Sequence, residues 1–355
     1  MPGLFDPLKA GHLLLPNRIL MAPLTRSRAD PQTRVPSDLA VRYYAQRAGF
    51  GLIVSEATSV SPMGVGYAGT PGIWSDEQTE AWTRITEAVH AKGGLILLQL
   101  WHVGRVSDPM FLNGALPVAP SAVRPKGHVS LVKPEKVFVT PRALETREIA
   151  GIIAHFKRGA DNARKAGFDG VEIHGANGYL LDQFLQDSTN RRTDAYGGGR
   201  EKRARLMLEV ADACAEVWGA ERVAMHLAPR ADSHDMGDSD TLATFTYVAG
   251  ELGRRGLAFI CARERRQADS IGPAIKDAFG GAYIANEGFD FEGATAILAA
   301  GKADAVAFGK LAIANPDLCE RFAQRAPLNP WDSATFYSGG ARGYTDYPAR
   351  VPEPA

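Results

Sequence analysis

Hydrophobic positions along the chain fall into short, nearly unbroken runs. Longer stretches separate them, in which apolar residues recur every three or four positions. Eight runs stand out, at 18–24, 51–57, 94–102, 168–174, 223–228, 257–262, 282–286 and 303–309. They are rich in Val, Ile and Leu and show no alternation with polar residues, which predicts strands buried on both faces, as in a parallel sheet. Between them the period changes. Residues 76–92 place Trp82, Ile85 and Val89 at helical spacing and end in Gly93-Gly94. Residues 145–166 set Ile149, Ile152, Ile153 and Phe156 on one stripe, and 201–218 do the same with Leu206, Leu208 and Val217. Such alternation predicts parallel βα units. Eight repeats favour closure into a (β/α)8, or TIM, barrel over an open doubly wound sheet. No compositional break divides the 355 residues, so one domain spanning 1–355 is expected.

One connection is far longer than the rest. Residues 103–140, between the third run and its helix, contain five prolines and no helical period. The reading is an excursion over the barrel mouth, and connections of this length are usually functional.

Composition narrows the function. Lys plus Arg equals Asp plus Glu at 40 each, which leaves no electrostatic argument for nucleic acid or an anionic membrane as partner. The N-terminal residues show no basic run leading into an apolar core, and no stretch reaches the ~18 apolar residues of a spanning helix. Cys214, Cys261 and Cys319 form no C-x-x-C pair, which argues against a zinc site or a disulfide framework. A reduced, cytoplasmic protein without a metal is the expectation.

In such barrels the chemistry stands at the C-terminal ends of strands. Run four ends in His174, Asn177 and Tyr179, which offer two donors for an oxygen and a phenol able to deliver a proton. The bland alternative is a core histidine, a turn asparagine and a packing tyrosine; the three together at a strand end favour chemistry. Runs seven and eight end in Asn286-Glu287-Gly288 and Gly309-Lys310, the corner where these barrels bind phosphate, although glycines there also serve simple βα turns. Gly64, Gly66 and Gly69 match G-x-G-x-x-G, but the match runs into Thr70-Pro71-Gly72 rather than a helix and reads as accidental.

The wording at these ends is itself distinctive. The run HGANGYLLDQFL (174–185), with MAPLTR (21–26), QLWHVGR (99–105), DAYGG (194–198), NPDL (315–318) and GYTDYP (343–348), resembles the Old Yellow Enzyme family of FMN-dependent ene-reductases. The resemblance runs essentially end to end and is nearest the bacterial N-ethylmaleimide and nitrate-ester reductase branch. It implies an NADPH dehydrogenase-like enzyme that binds FMN and uses NADPH or NADH to reduce activated alkenes or nitro compounds. By this resemblance Pro23, Leu24 and Thr25 lie along the flavin, and Ala57 and Gln99 line its pyrimidine side. Asn286, Gly288, Gly309 and Lys310 hold the ribityl phosphate. His174 and Asn177 bind the substrate oxygen and Tyr179 is the proton donor. Tyr67, Trp101 and Tyr337 shape the pocket. The implied cycle is ping-pong: hydride passes from the nicotinamide to flavin N5, then to the alkene β-carbon, while the α-carbon is protonated.

Several positions depart from the family. His226 stands where an arginine usually faces flavin N1 and O2, and Lys310 stands where an arginine usually holds the phosphate. Looser FMN binding is expected from Lys310, and from His226 a flavin that is held more weakly or is harder to reduce. Activity that falls as pH rises through the ordinary histidine range, near ~6.5, is expected from His226. Arg230 is an alternative source of the missing charge. Residues 230–240 and Arg200-Glu201-Lys202-Arg203 also differ in wording. These departures keep open a flavin-binding barrel with weak or lost turnover. Two further alternatives are a zinc hydrolase using His102, His174 and His226, and a Schiff base on Lys310. Oligomeric state is not legible.

Overall fold

All eight predicted strands form, in a computed structural model that describes residues 2–230, 233–265, 267–337 and 340–350. They are β1 (Ile19–Met21), β2 (Leu52–Val54), β3 (Ile96–Trp101), β4 (Gly170–Gly175), β5 (Val223–Leu227), β6 (Phe259–Arg263), β7 (Ala282–Asn286) and β8 (Ala305–Phe308). Each pairs in parallel with the next, and β8 returns to β1 with Val306 opposite Ile19, which closes the ring. Most strands are shorter than the apolar runs that announced them, because the flanking apolar residues pack in the βα turns.

The helices outside the ring are α1 (Asp38–Ala45), α2 (Asp76–His90), α3 (Thr146–Lys165), α4 (Leu180–Leu185), α5 (Arg200–Trp218), α6 (Thr241–Arg254), α7 (Gly272–Phe279), α8 (Phe291–Ala299), α9 (Lys310–Ala314) and α10 (Leu318–Ala323). The start of α2 is fixed by a capping box in which Ser75 and Gln78 satisfy each other's backbone N–H groups. Its predicted stripe, Trp82, Ile85 and Val89, is fully buried against the barrel. Each such side chain contributes ~1.5–3 kcal/mol by leaving water. No helix among the described residues is long and apolar enough to cross a membrane.

Alternate residues of each strand face the barrel axis. Leu20, Leu52, Leu97, Ala224, Phe259, Ile284 and Ala305 form one buried cluster there. An N-terminal hairpin, Leu8–Ala10 with Leu13–Leu15, adds Ala10, Leu13 and Leu15 to the same cluster. Nothing in the sequence reading foresaw this hairpin.

The long connection does cross the barrel mouth. Val103, Val106, Val129 and Phe138 pack with Ala57 and Trp101, and Tyr67 and Tyr179 lean on the group. Arg105 anchors it from a buried position, donating from Nη1 to Val123 O (3.0 Å) and from Nη2 to His234 O (2.7 Å). Gly66 explains part of the G-x-G-x-x-G match: a Cβ there would lie 2.2 Å from Val106 O, where the excursion passes. The motif opens no α-helix. On the other side, Arg26 after β1 donates to Phe336 O (3.1 Å) and Gly343 O (2.7 Å), which brings the C-terminal segment over the mouth.

Ala231 and Asp232, inside the divergent 230–240 segment, lie outside the described residues. The rest of that segment meets the other divergent one: Arg203 pairs with Asp238 at 3.0 Å and Arg200 with Asp240 at 3.3 Å.

Candidate active site

The strand ends surround a cavity of about 790 Å³, within the range of small-molecule sites. Of the residues singled out in the sequence, Pro23, Leu24, Thr25, Ala57, Gln99, Trp101, His174, Asn177, Tyr179, His226, Asn286, Gly288, Gly309, Lys310 and Tyr337 line it. Tyr67 stands one layer back. Its hydroxyl lies 2.9 Å from the Tyr179 hydroxyl and its ring stacks on Trp101 at 5.5 Å.

His174, Asn177 and Tyr179 are each held in a definite state. His174 ends the inward face of β4 and is 5 % exposed. Burial, then the neighbouring His226, pushes its pKa well below the usual value, so the ring is neutral near pH 7. The Ala176 N–H donates to Nδ1 at 3.4 Å, which leaves the proton on Nε2. Asn177 sits at φ +58°, a left-handed conformation that asparagine tolerates. Its backbone carbonyl is 2.8 Å from His234 Nδ1, and its side-chain Oδ1 accepts from Arg263 Nη1 at 2.9 Å. Burial, then the adjacent Tyr67, pushes the Tyr179 phenol well above 10, so it keeps its proton. Its ring meets His174 and Trp101 edge-on at 4.9 and 5.0 Å.

A polar floor lies beneath. Gln99 Nε2 donates to Glu172 Oε1 at 2.7 Å, which leaves the Gln99 carbonyl oxygen free to accept from a ligand. His226 Nδ1 is 3.4 Å from the same carboxylate oxygen. Glu172, His226 and Cys261 bring ligand-type atoms within 4.8 Å of one another, a grouping that cysteine spacing did not foresee. The zinc trio weighed from the sequence does not assemble. His102 is absent from the cavity lining; its Nδ1 accepts from Gly104 N–H at 3.1 Å and burial pushes its pKa down to about 3.

The opposite end suits a phosphate. Glu287 and Gly288 both have positive φ, +90° and +77°, so the chain turns sharply there. Gly288 has no atom within 4 Å of where a Cβ would stand, which leaves the backbone open to the cavity. Lys310 is exposed at the edge, with Nζ 5.8 Å from the Trp331 ring centroid. An apolar wall (Ala22, Pro23, Leu24), a hydrogen-bonding floor and a glycine-and-lysine corner match the parts of FMN: a planar ring, its pyrimidine edge and a phosphate.

One expectation fails. Arg230 does not supply charge to the site: it pairs with Glu264 (3.2 Å) and Asp269 (2.7 Å) outside the cavity. The chain leaves β5 at Leu227, so the strand alternation that would have pointed Arg230 inward does not extend to it. The residue that sequence reasoning missed is Arg263, at the end of β6 and in the cavity lining. The signal was available, since Phe259, Cys261 and Arg263 share one strand face.

Comparison with known proteins agrees with this geometry. The model of the NADH:flavin oxidoreductase / NADH oxidase family matches residues 3–329, and the chain belongs to that family. It is 45% identical to 12-oxophytodienoate reductase 1 of Oryza sativa subsp. japonica over 97% of this chain and 92% of that one. It is 41% identical to a probable flavin mononucleotide-dependent alkene reductase of Leishmania infantum, covering 97% of each. Morphinone reductase in complex with tetrahydroNAD superposes with a TM-score of 0.95 at 50% identity, covering 99% of both chains. The old yellow enzyme homologue from Zymomonas mobilis does so at 0.95 and 44%, covering 98% of this chain and 99% of that one.

Proposed function

We propose that this member of the NADH:flavin oxidoreductase / NADH oxidase family binds FMN across the barrel mouth and reduces activated C=C bonds with NADPH or NADH. Enones and maleimides are the expected substrates, with nitroalkenes and nitrate esters as further acceptors. The observation that carries the reading is the convergence of two committed N–H donors and a protonated phenol in one cavity. The relatives named as alkene, 12-oxophytodienoate and morphinone reductases support it, as does the bound tetrahydroNAD of the last.

Gly288, Gly309 and Lys310, with Pro23, Leu24 and Thr25, would hold FMN, which when bound would supply the hydride relay between nicotinamide and alkene. The chain's own residues do the rest. His174 Nε2–H and the Asn177 amide donate to the acceptor oxygen, and these bonds strengthen as charge gathers there. Tyr179 delivers a proton to the carbon next to that carbonyl. The Tyr67 hydroxyl, 2.9 Å away, can donate to the phenolate left behind. The free thiols Cys214, Cys261 and Cys319 fit a reducing, cytoplasmic setting.

Anaerobic stopped-flow mixing tests the reading. The protein is expected to be yellow, to bleach with NADPH or NADH, and to recover its colour with 2-cyclohexenone or N-ethylmaleimide. A colourless protein that gains no colour with added FMN, or a reduced protein that no alkene reoxidises, refutes it.

A further inference from the structure

We propose that Arg263 is the positioning residue that turns the Asn177 amide toward the substrate oxygen. The proposal rests on the reading above, in which Asn177 contacts that oxygen.

An amide side chain can present either its oxygen or its nitrogen to a neighbour. Here the neighbour decides. A guanidinium has five N–H donors and no acceptor, so the atom of Asn177 that faces Arg263 must be Oδ1. The bond is 2.9 Å long, from Nη1. With Oδ1 occupied, the Nδ2 hydrogens are the part of the side chain left for the cavity that Asn177 lines. Without Arg263 the amide could rotate and present a lone pair, which would repel a carbonyl or nitro oxygen.

Arg263 is itself fixed from two sides. Nη1 also reaches Ser233 Oγ at 3.3 Å, and Nη2 donates to Glu287 Oε1 at 3.2 Å. Glu287 opens the sharp turn into Gly288, at the phosphate end of the cavity. The guanidinium therefore spans from the turn after β7 to the turn after β4, across the top of the barrel. Its backbone position dictates this reach. Cys261, two residues earlier on the same inward face, is buried in the barrel interior, so residue 263 emerges one layer higher, at the mouth. The His234 ring also fixes the Asn177 backbone, through its carbonyl at 2.8 Å. Backbone and side chain of Asn177 are thus held by separate partners, and among the described residues Arg263 is the one that acts on the amide. The positive charge of Arg263 adds to the burial and the His226 neighbour that keep His174 neutral, so it supports the donor state of both groups.

The test is a double-mutant cycle on the FMN-loaded enzyme, with rates normalised to bound flavin. Kinetics of 2-cyclohexenone reduction are measured for wild type, Arg263→Met, Asn177→Ala and the double variant, with Arg263→Lys alongside. Arg263→Met is expected to raise KM for the enone and to lower kcat/KM by roughly tenfold, the size of one hydrogen bond. In the Asn177→Ala background the same change should cost less than about twofold, because the group it positions is gone. Arg263→Lys should fall between, since an ammonium donates to Oδ1 without the planar fork. A loss in the double variant equal to the product of the single losses overturns the proposal, as does an unchanged kcat/KM in Arg263→Met. An unchanged kcat/KM in Asn177→Ala overturns the substrate role of Asn177 and the proposal with it.

Discussion

Replacing Tyr67 with Phe separates delivery of the proton from everything else in the site. The ring stays, so its stacking on Trp101 at 5.5 Å and its edge contact with Tyr179 at 6.4 Å are kept. What is lost is the hydroxyl 2.9 Å from the Tyr179 oxygen. Before the proton leaves Tyr179, that bond joins two neutral groups and contributes about 1 kcal/mol. After it leaves, the same bond meets a phenolate, and bonds to charged groups contribute about 1.5–3 kcal/mol. The difference, on the order of 0.5–2 kcal/mol, falls on the transition state for proton transfer and corresponds to a rate lower by roughly 2- to 30-fold. The upper part of the range is expected, because burial already holds the Tyr179 phenol well above 10 and leaves its anion poorly solvated. Stopped-flow reoxidation of the reduced enzyme by 2-cyclohexenone reads this step. Reduction by the nicotinamide, which needs no proton from Tyr179, should change by less than about twofold. Equal losses in both half-reactions would refute the reasoning and mark Tyr67 as a packing residue. An unchanged reoxidation rate would refute it too.

Other groups give further expectations. Asp182 accepts from Gly178 N–H at 2.8 Å and from Gln186 Nε2 at 2.7 Å, and burial pushes its pKa up to about 7. Its folded value lies above its unfolded value, so its contribution to stability is present below pH ~4 and is lost as pH rises through about 7. Asp182→Asn should therefore flatten the fall in stability between pH 4 and 7, by up to about 4 kcal/mol; melting curves with the same pH slope as wild type would refute this. At pH ~6.5, where an ordinary imidazole is half protonated, His174 should remain a neutral ring with its proton on Nε2, as read from its ring nitrogens by NMR; a doubly protonated ring would contradict the effect of its burial. Lys310→Arg should slow FMN release several-fold by offering two parallel bonds to a phosphate, and Lys310→Met should hasten it; unchanged retention in both would remove Lys310 from the cofactor site.

The barrel was legible because strands buried on both faces have to be apolar throughout, and each such run in the sequence became a strand. The place of His174, Asn177 and Tyr179 was legible for a related reason: β4 ends at His174-Gly175, and the next few residues can only stand at the mouth. Long side chains were harder to place. Arg230 follows β5 and Arg263 is the last residue of β6, and reading along the chain favoured the first. The structure turns Arg230 outward to Glu264 and Asp269 and carries Arg263 across the mouth to Asn177. Which of two arginines reaches a site depends on where each strand stops, and apolar periodicity marks that point only to within a few residues. The N-terminal hairpin was missed because two three-residue strands are too short to show a period.

Arg105 gives the mouth a property that matters for how such enzymes diversify. Loops on a barrel rim are usually free to vary one at a time, which lets new specificities arise by single exchanges. Here the excursion after β3 donates through Arg105 to His234 O, and the His234 ring in turn fixes the Asn177 carbonyl. The same stretch after β5 is tied through Asp238 to Arg203 at the start of α5. Three rim segments from three strands therefore behave as one inheritable block. A chimera that imports the excursion from a relative without the 233–240 stretch would strand a buried guanidinium and release the turn that carries Asn177. Transplants of specificity onto this scaffold should move the block whole.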